Sequence, residues 1–227
     1  MLVFLFAAKF CQNIFGALCT NLRNLLMMAV AAKLHQEDDL MNDLLPGTTA
    51  DFWANQNQEL RDYYLYDWGV PKHSDQQIFE LLVLEVFSSG LNWLMMLHKR
   101  ANFARAFANY DLHVIAAMGD ADFDRLMHDA SIVRNRMKIA ATIANAKAVL
   151  QIKREYGSFA AYVWSFTDGE QIVNRPTAAG QTPTQTELSK RVAKDLKRHG
   201  CQFVGPVITY NFLQAVGVID DHIVPAS

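Results

Sequence analysis

The sequence predicts an all-α protein, and three observations carry that prediction. From Asp51 onward apolar residues recur at three- and four-residue spacings, the period of a helix that buries one face. No stretch of useful length alternates apolar and polar side chains, so strands have no visible place. Breakers cluster in residues 168–186, where Gly169, Pro176, Gly180 and Pro183 mark one long polar loop, and the other connections are short. At 227 residues, 51% apolar and 19% charged, the chain is long enough for one substantial core and does not have a disordered composition.

Taken in order, the elements begin at residues 75–88, read as an amphipathic helix with Ser74 as N-cap and Ile78, Leu81 and Leu82 on its apolar stripe. A second helix carries Trp93, Met96, Phe103 and Phe107, with a basic patch at His98, Lys99 and Arg100. Shorter ones are expected over 112–118 and 121–128. A long Ala-rich helix is expected over 132–154, apolar at Ile139, Ile143 and Val149, and a short one over 159–164. Residues 187–199 read as a basic helix with Lys190, Arg191, Lys194, Lys197 and Arg198, stopped by Gly200. After Phe203-Val204-Gly205-Pro206 a helix restarts through Tyr210, Phe212, Leu213 and Val216, the layout of a helix-hairpin-helix.

Residues 1–45 read as a separate apolar and acidic extension, ahead of a helical domain over 46–227. Residues 1–35 are apolar, but Lys9, Arg23 and Lys33 interrupt them, and no run reaches the ~18 residues needed to span a bilayer. The start Met-Leu-Val-Phe lacks the basic residues of a secretory signal. An accessory helix and a start codon assigned too far upstream both fit. Glu37-Asp38-Asp39 and Pro46-Gly47 then mark the boundary. Cys11, Cys19 and Cys201 form no CxxC pair, as expected of reduced thiols in a cytoplasmic protein without a membrane partner. The net charge of −2 conceals a basic segment: residues 130–200 carry 12 basic and 5 acidic side chains, a local balance of +7 that suits either a solvated face or a polyanion.

The most informative stretch is residues 63–93. Glu85 falls three and four residues from Leu82 and Leu81, on the apolar side of its helix. An unpaired charge is too costly there, so the carboxylate must be paired, protonated or facing a polar cavity. Tyr63, Tyr66, Trp68 and Trp93 lie close in sequence, which suggests an aromatic-walled pocket with one acid in its floor.

Asp67-Trp68-Gly69-Val70-Pro71, Leu84-Glu85, Gly90-Leu91-Asn92-Trp93, residues 130–136, Phe203-Val204-Gly205 and Asp221-His222 together resemble the monofunctional DNA-3-methyladenine glycosylases of type I. The likeness runs over roughly residues 51–224. It implies a repair enzyme that hydrolyses the N-glycosidic bond of 3-methyladenine in double-stranded alkylated DNA, working as a monomer. It also implies that Tyr63 and Trp93 stack on the extruded base, that Glu85 accepts hydrogen bonds from the base, and that Trp53 and Trp68 complete the wall. Gly205 would let a DNA phosphate approach the hairpin, with Lys197 and Arg198 on the same surface. No lysine stands where a lyase nucleophile is needed.

Two features depart from that pattern. Where the type I branch commonly has asparagine, this chain has Asp220, which suits either a carboxylate stabilising charge on the sugar or a helix cap or partner for His222. The family's zinc positions, two Cys and two His, map to Asp51, Tyr64, His222 and Ala226. Zinc takes four ligands, mostly nitrogen or sulfur, so no metal or other cofactor is expected. Something else must then hold Trp53 and Tyr63, and the N-terminal extension is one candidate. The competing readings are a base-binding module without catalysis and a purely structural helical protein.

Overall fold

The structure, a computed structural model, describes residues 44–226. The expected N-terminal extension, with Cys11 and Cys19, lies outside them apart from Leu44 and Leu45. Among the described residues the chain is almost wholly helical: α1 (Gln58–Tyr66), α2 (Asp75–Ser88), α3 (Trp93–Ala106), α4 (Leu112–Ala116), α5 (Asp120–His128), α6 (Arg136–Tyr156), α7 (Phe159–Trp164), α8 (Glu187–Arg198) and α9 (Pro206–Val216). Among the described residues the sole sheet is a two-residue parallel pair, β1 (Ile172–Val173) against β2 (Ile219–Asp220), which ties the long loop to the segment after α9. No described helix is long and apolar enough to cross a membrane.

Helix α2 is the axis of the fold, packed by α3, α6, α7 and α9. Every side chain from Leu81 to Phe87 on it is buried, which corrects the amphipathic reading. A helix that is apolar all round belongs in the centre of a core. Glu85 is therefore buried because the whole circumference of the Leu81–Phe87 stretch is, not because it sits on one stripe. Ser74 occupies the N-cap position, yet its hydroxyl caps nothing; its carbonyl accepts from Ile78 N–H at 2.9 Å.

Local chemistry moves two other boundaries. Helix α6 begins at Arg136, four residues later than periodicity suggests. Asp129 accepts from Ser131 N–H (2.8 Å) and Oγ (2.6 Å) to form a turn, and Asn135 then caps the N–H groups of Met137 and Lys138. Helix α1, not resolved as a separate element in the sequence, starts at Asn57, whose side chain accepts from Leu60 N–H at 2.9 Å.

Two contacts fix the parts that reach the site. The strap 67–72 is sewn onto the end of α9: Gly69 N–H donates to Gln214 O (3.0 Å) and Lys72 N–H to Val216 O (2.9 Å). At the other end of α2 the buried Lys138 donates its ammonium to Phe87 O (3.0 Å) and Ser89 O (2.7 Å). A cation against the last carbonyls of a helix is favourable, and here it anchors the turn that leads to Trp93.

Candidate active site

A cavity of about 580 Å³ opens beside the last turn of α2. Trp53 comes from a 3₁₀ turn, Tyr63 from α1, Trp68 from the strap, Glu85 from α2 and Trp93 from the first turn of α3; the start of α9 closes it with Val207 and Ile208. Five of the residues expected to contact a base, scattered over forty positions, thus share one wall. Trp93 lies against Tyr63 with ring centroids 5.3 Å apart, and Trp53 lies 5.9 Å from Trp68. Tyr66 is not part of this wall; it is 75% exposed at the end of α1.

Glu85 is 5% exposed and has no ion-pair partner among the described residues. Among the described residues its one side-chain hydrogen-bond partner is Ser88, whose Oγ donates to Oε2 at 3.3 Å and to the Glu85 carbonyl at 2.9 Å. Burial pushes the carboxyl up to about 8, with the Ser88 bond pulling weakly the other way. Burial in this site therefore favours the neutral acid over the carboxylate. Of the three options open to this carboxyl, no pairing occurs among the described residues, a cavity is present, and burial favours protonation. Two more polar atoms of the wall, Tyr63 Oη and Trp93 Nε1, are buried with no hydrogen-bond partner among the described residues. Burial, and then the nearby Glu85 and Asp67, hold the Tyr63 hydroxyl well above its ordinary range, so it is a donor.

Behind the wall runs a chain of charges. Arg100 donates to Glu80 (2.6 Å) and Asp67 (2.5 Å), and Lys72 pairs with Asp67 at 2.9 Å. Burial alone would raise Asp67, but the bonds from Arg100 and Lys72 outweigh it and hold the group below its ordinary range. Asp67 N–H and Trp68 N–H both donate to Tyr63 O, so this network grips the junction between two wall residues. The basic patch read at residues 98–100 is in part this internal brace.

The structure does not bring Asp220 to the cavity. Its Oδ1 lies 2.6 Å from His222 Nδ1 and accepts from His222 N–H at 3.0 Å, while Arg175 approaches Oδ2 at 3.5 Å. The residue is in the geometry of a histidine partner. Asp221 is 2% exposed and satisfied by Tyr210, Gln214 and Asn174.

The residues at the implied zinc positions do not fit that ion. Ala226 has no donor atom. The Tyr64 hydroxyl accepts from Ile223 N–H at 2.8 Å, and both ring nitrogens of His222 are already engaged. No group of three His, Cys, Asp or Glu side chains suited to a metal occurs among the described residues.

Gly205 caps the start of α9, just before Val207 and Ile208 of the cavity rim. A Cβ there would meet nothing within 4 Å, so no internal packing demands glycine. Asn145, buried on α6, holds the hairpin by accepting from Gln202 N–H (2.7 Å) and donating to its carbonyl (3.2 Å). Lys197 and Arg198 end α8 in solvent, Arg198 beside Asp195 at 2.7 Å. Sequence reasoning missed Asn211 and Gln214, which also line the cavity. Their signal was a pair of amides three residues apart on an otherwise apolar helix.

Residues 53–226 match the family model described as methyladenine glycosylase. The chain belongs to the methyladenine glycosylase family. It is 39% identical over 172 residues to DNA-3-methyladenine glycosylase 1 of Escherichia coli K12, covering 76% of this chain and 92% of that protein. The DNA-3-methyladenine glycosylase of Haemophilus influenzae is 36% identical over 176 residues, with 78% and 95% covered. A solved structure addressing 3-methyladenine recognition by the 3-methyladenine DNA glycosylase I of Staphylococcus aureus superimposes with a TM-score of 0.72 at 33% identity, covering 74% of this chain and 89% of that one. The all-α architecture expected from periodicity is thus the fold of the family, and the match begins at the first wall residue, Trp53.

Proposed function

We propose that this chain is a monofunctional DNA glycosylase that hydrolyses the N-glycosidic bond of 3-methyladenine in alkylated double-stranded DNA. The observation that carries the proposal is Glu85, an acid without a cation partner in the floor of an aromatic cavity. 3-Methyladenine is positively charged while joined to deoxyribose. A base extruded from the stack into this cavity brings the missing cation with it. Glu85 then ionises, releasing its proton to solvent, and accepts from the polar edge of the base. Tyr63 and Trp93 offer ring faces, each cation–π contact worth on the order of 0.5–2 kcal/mol when desolvated. An unmethylated, neutral purine gains neither term.

The chemistry asks little more of the protein. When the bond between the sugar C1′ and base N9 breaks, its electron pair returns to the base and cancels the ring charge. Water adds to C1′, its proton passes to solvent, and an abasic site remains. A leaving group that is already charged reduces the acid catalysis required, so the mechanism gives Asp220 no step. Every group in this account comes from one chain, which acts as a monomer.

The DNA surface in this reading is the hairpin. Val207 and Ile208 N–H groups at the start of α9, with the open space beside Gly205, suit a phosphate next to the cavity rim. Lys197 and Arg198 extend that surface. The double variant Lys197→Glu, Arg198→Glu should weaken binding about equally for every DNA sequence and lower the salt slope by about 2, measured as affinity against salt concentration. Unchanged affinity would place the surface elsewhere.

The activity is tested by incubating the protein with DNA treated with a methylating agent and chromatographing what is released. Free 3-methyladenine without strand cleavage is the expected result. Binding of methylated DNA with no base released would assign a base-binding module instead.

A further inference from the structure

We infer that Tyr64, His222 and Asp220 form a metal-independent clasp that sets the aromatic wall of the base cavity. His222 Nε2 donates to the Tyr64 carbonyl at 2.6 Å, and a carbonyl can only accept. The other ring nitrogen lies 2.6 Å from Asp220 Oδ1, which fixes the ring's rotation. In return, the Tyr64 hydroxyl accepts from Ile223 N–H at 2.8 Å. Residues near the start and the end of the family domain are therefore bridged twice.

The bridge reaches the cavity through rings. His222 packs edge-on against Tyr64 (4.7 Å) and Trp68 (5.1 Å). Tyr64 stacks on Trp68 at 5.3 Å and meets Trp53 edge-on at 5.4 Å. Trp53 and Trp68 are wall residues. Gly69, at φ +72°, allows this closeness: a Cβ there would lie 2.8 Å from His222 Cε1. The clasp occupies the place where the resemblance implied zinc, and its hydrogen bonds engage the His222 ring nitrogens and the Tyr64 hydroxyl oxygen that a metal would otherwise take as ligands. His222 and Tyr64 are positioning residues, since they act on a base only through Trp53 and Trp68.

The inference rests on the proposed function only in its choice of probe, 3-methyladenine. Two substitutions of the full chain separate a bridge from mere packing. His222→Gln puts an amide nitrogen near the position of Nε2 and keeps the bond to Tyr64. His222→Asn reaches only the position of Nδ1 and keeps the local bond to Asp220. Titration with 3-methyladenine should show His222→Gln within about threefold of wild type and His222→Asn about tenfold weaker, the scale of one buried hydrogen bond. Tryptophan emission should shift to the red in His222→Asn alone, and EDTA should change neither affinity nor melting temperature.

Equal behaviour of the two variants, or loss of affinity and stability on chelation, would overturn the clasp. If neither variant folds, Tyr64→Phe decides: it removes one oxygen and keeps the ring stack. It should shift the emission and weaken the probe about threefold or more. No change in either would reject the inference. A wild-type chain that does not bind 3-methyladenine contradicts the proposed function instead, and the emission comparison then decides the clasp alone.

Discussion

Glu85→Gln should weaken recognition of the cationic base by about 1–3 kcal/mol, the scale of a hydrogen bond to a charged partner, while making the folded protein more stable at neutral pH. The second half follows from linkage. Burial raises the carboxyl from 4.5 to about 8 in the folded state, so between those values the native protein keeps a proton the unfolded chain has lost. Stability from this group is complete below 4.5 and falls as pH rises, by about 1.4 kcal/mol per pH unit, until ionisation is complete in both states above 8. At pH 7 the penalty is roughly 3 kcal/mol. Glutamine never ionises, so thermal melts of the variant should lose this pH dependence and gain stability above pH 6. A destabilisation of roughly 3–5 kcal/mol would instead indicate an orphaned cation and a structural ion pair.

Gly217→Ala should be at least as damaging to the fold as any change in the cavity is to binding. Gly217 ends α9 at φ +82°, and a Cβ there would fall inside contact distance of the Val70 carbonyl and 2.5 Å from Pro71 N. These are backbone atoms and cannot swing away. The strap has to lift, which breaks the bonds of Gly69 to Gln214 and Lys72 to Val216 and displaces Trp68. With the left-handed strain added, a loss of roughly 3–5 kcal/mol is expected in denaturant unfolding, together with weaker base binding. Unchanged stability would mean that the strap is not anchored there.

Much of the site was legible because its signals are local. A glutamate within Leu81–Phe87 of a buried helix, and tyrosine and tryptophans within one short stretch, stand out without any fold. Regular helices 75–88 and 159–164 were read to the residue, since their apolar content and flanking breakers agree. What stayed hidden depends on partners far apart in the chain. The Tyr64–His222 bridge joins positions 158 residues apart, and nothing near Tyr64 announces it. The resemblance left the zinc positions without a fitting ligand set and offered the N-terminal extension as a replacement; within the described residues, ring packing and a hydrogen bond join two of those positions, Tyr64 and His222. The start of α6 was misplaced because a side-chain turn at Asp129 overrides an apolar periodicity that otherwise continues. Asp220 had two readings in the sequence, a catalytic carboxylate or a partner for His222; its contacts with His222 are those of the second, and it is not among the residues lining the cavity.

The central claim is that Glu85 is a neutral acid in the free protein and becomes the counter-ion of a cationic base. The most direct measurement is the ¹³C shift of the Glu85 carboxyl followed against pH, assigned with the Glu85→Gln variant. It should be made with and without 3,9-dimethyladeninium, a cation with a methyl group where the sugar would be. The account predicts titration near 8 in the free protein and an ionised carboxylate at pH 7 once the cation is bound. A free Glu85 that titrates near its ordinary 4.5, or one whose shift ignores the cation, would contradict it.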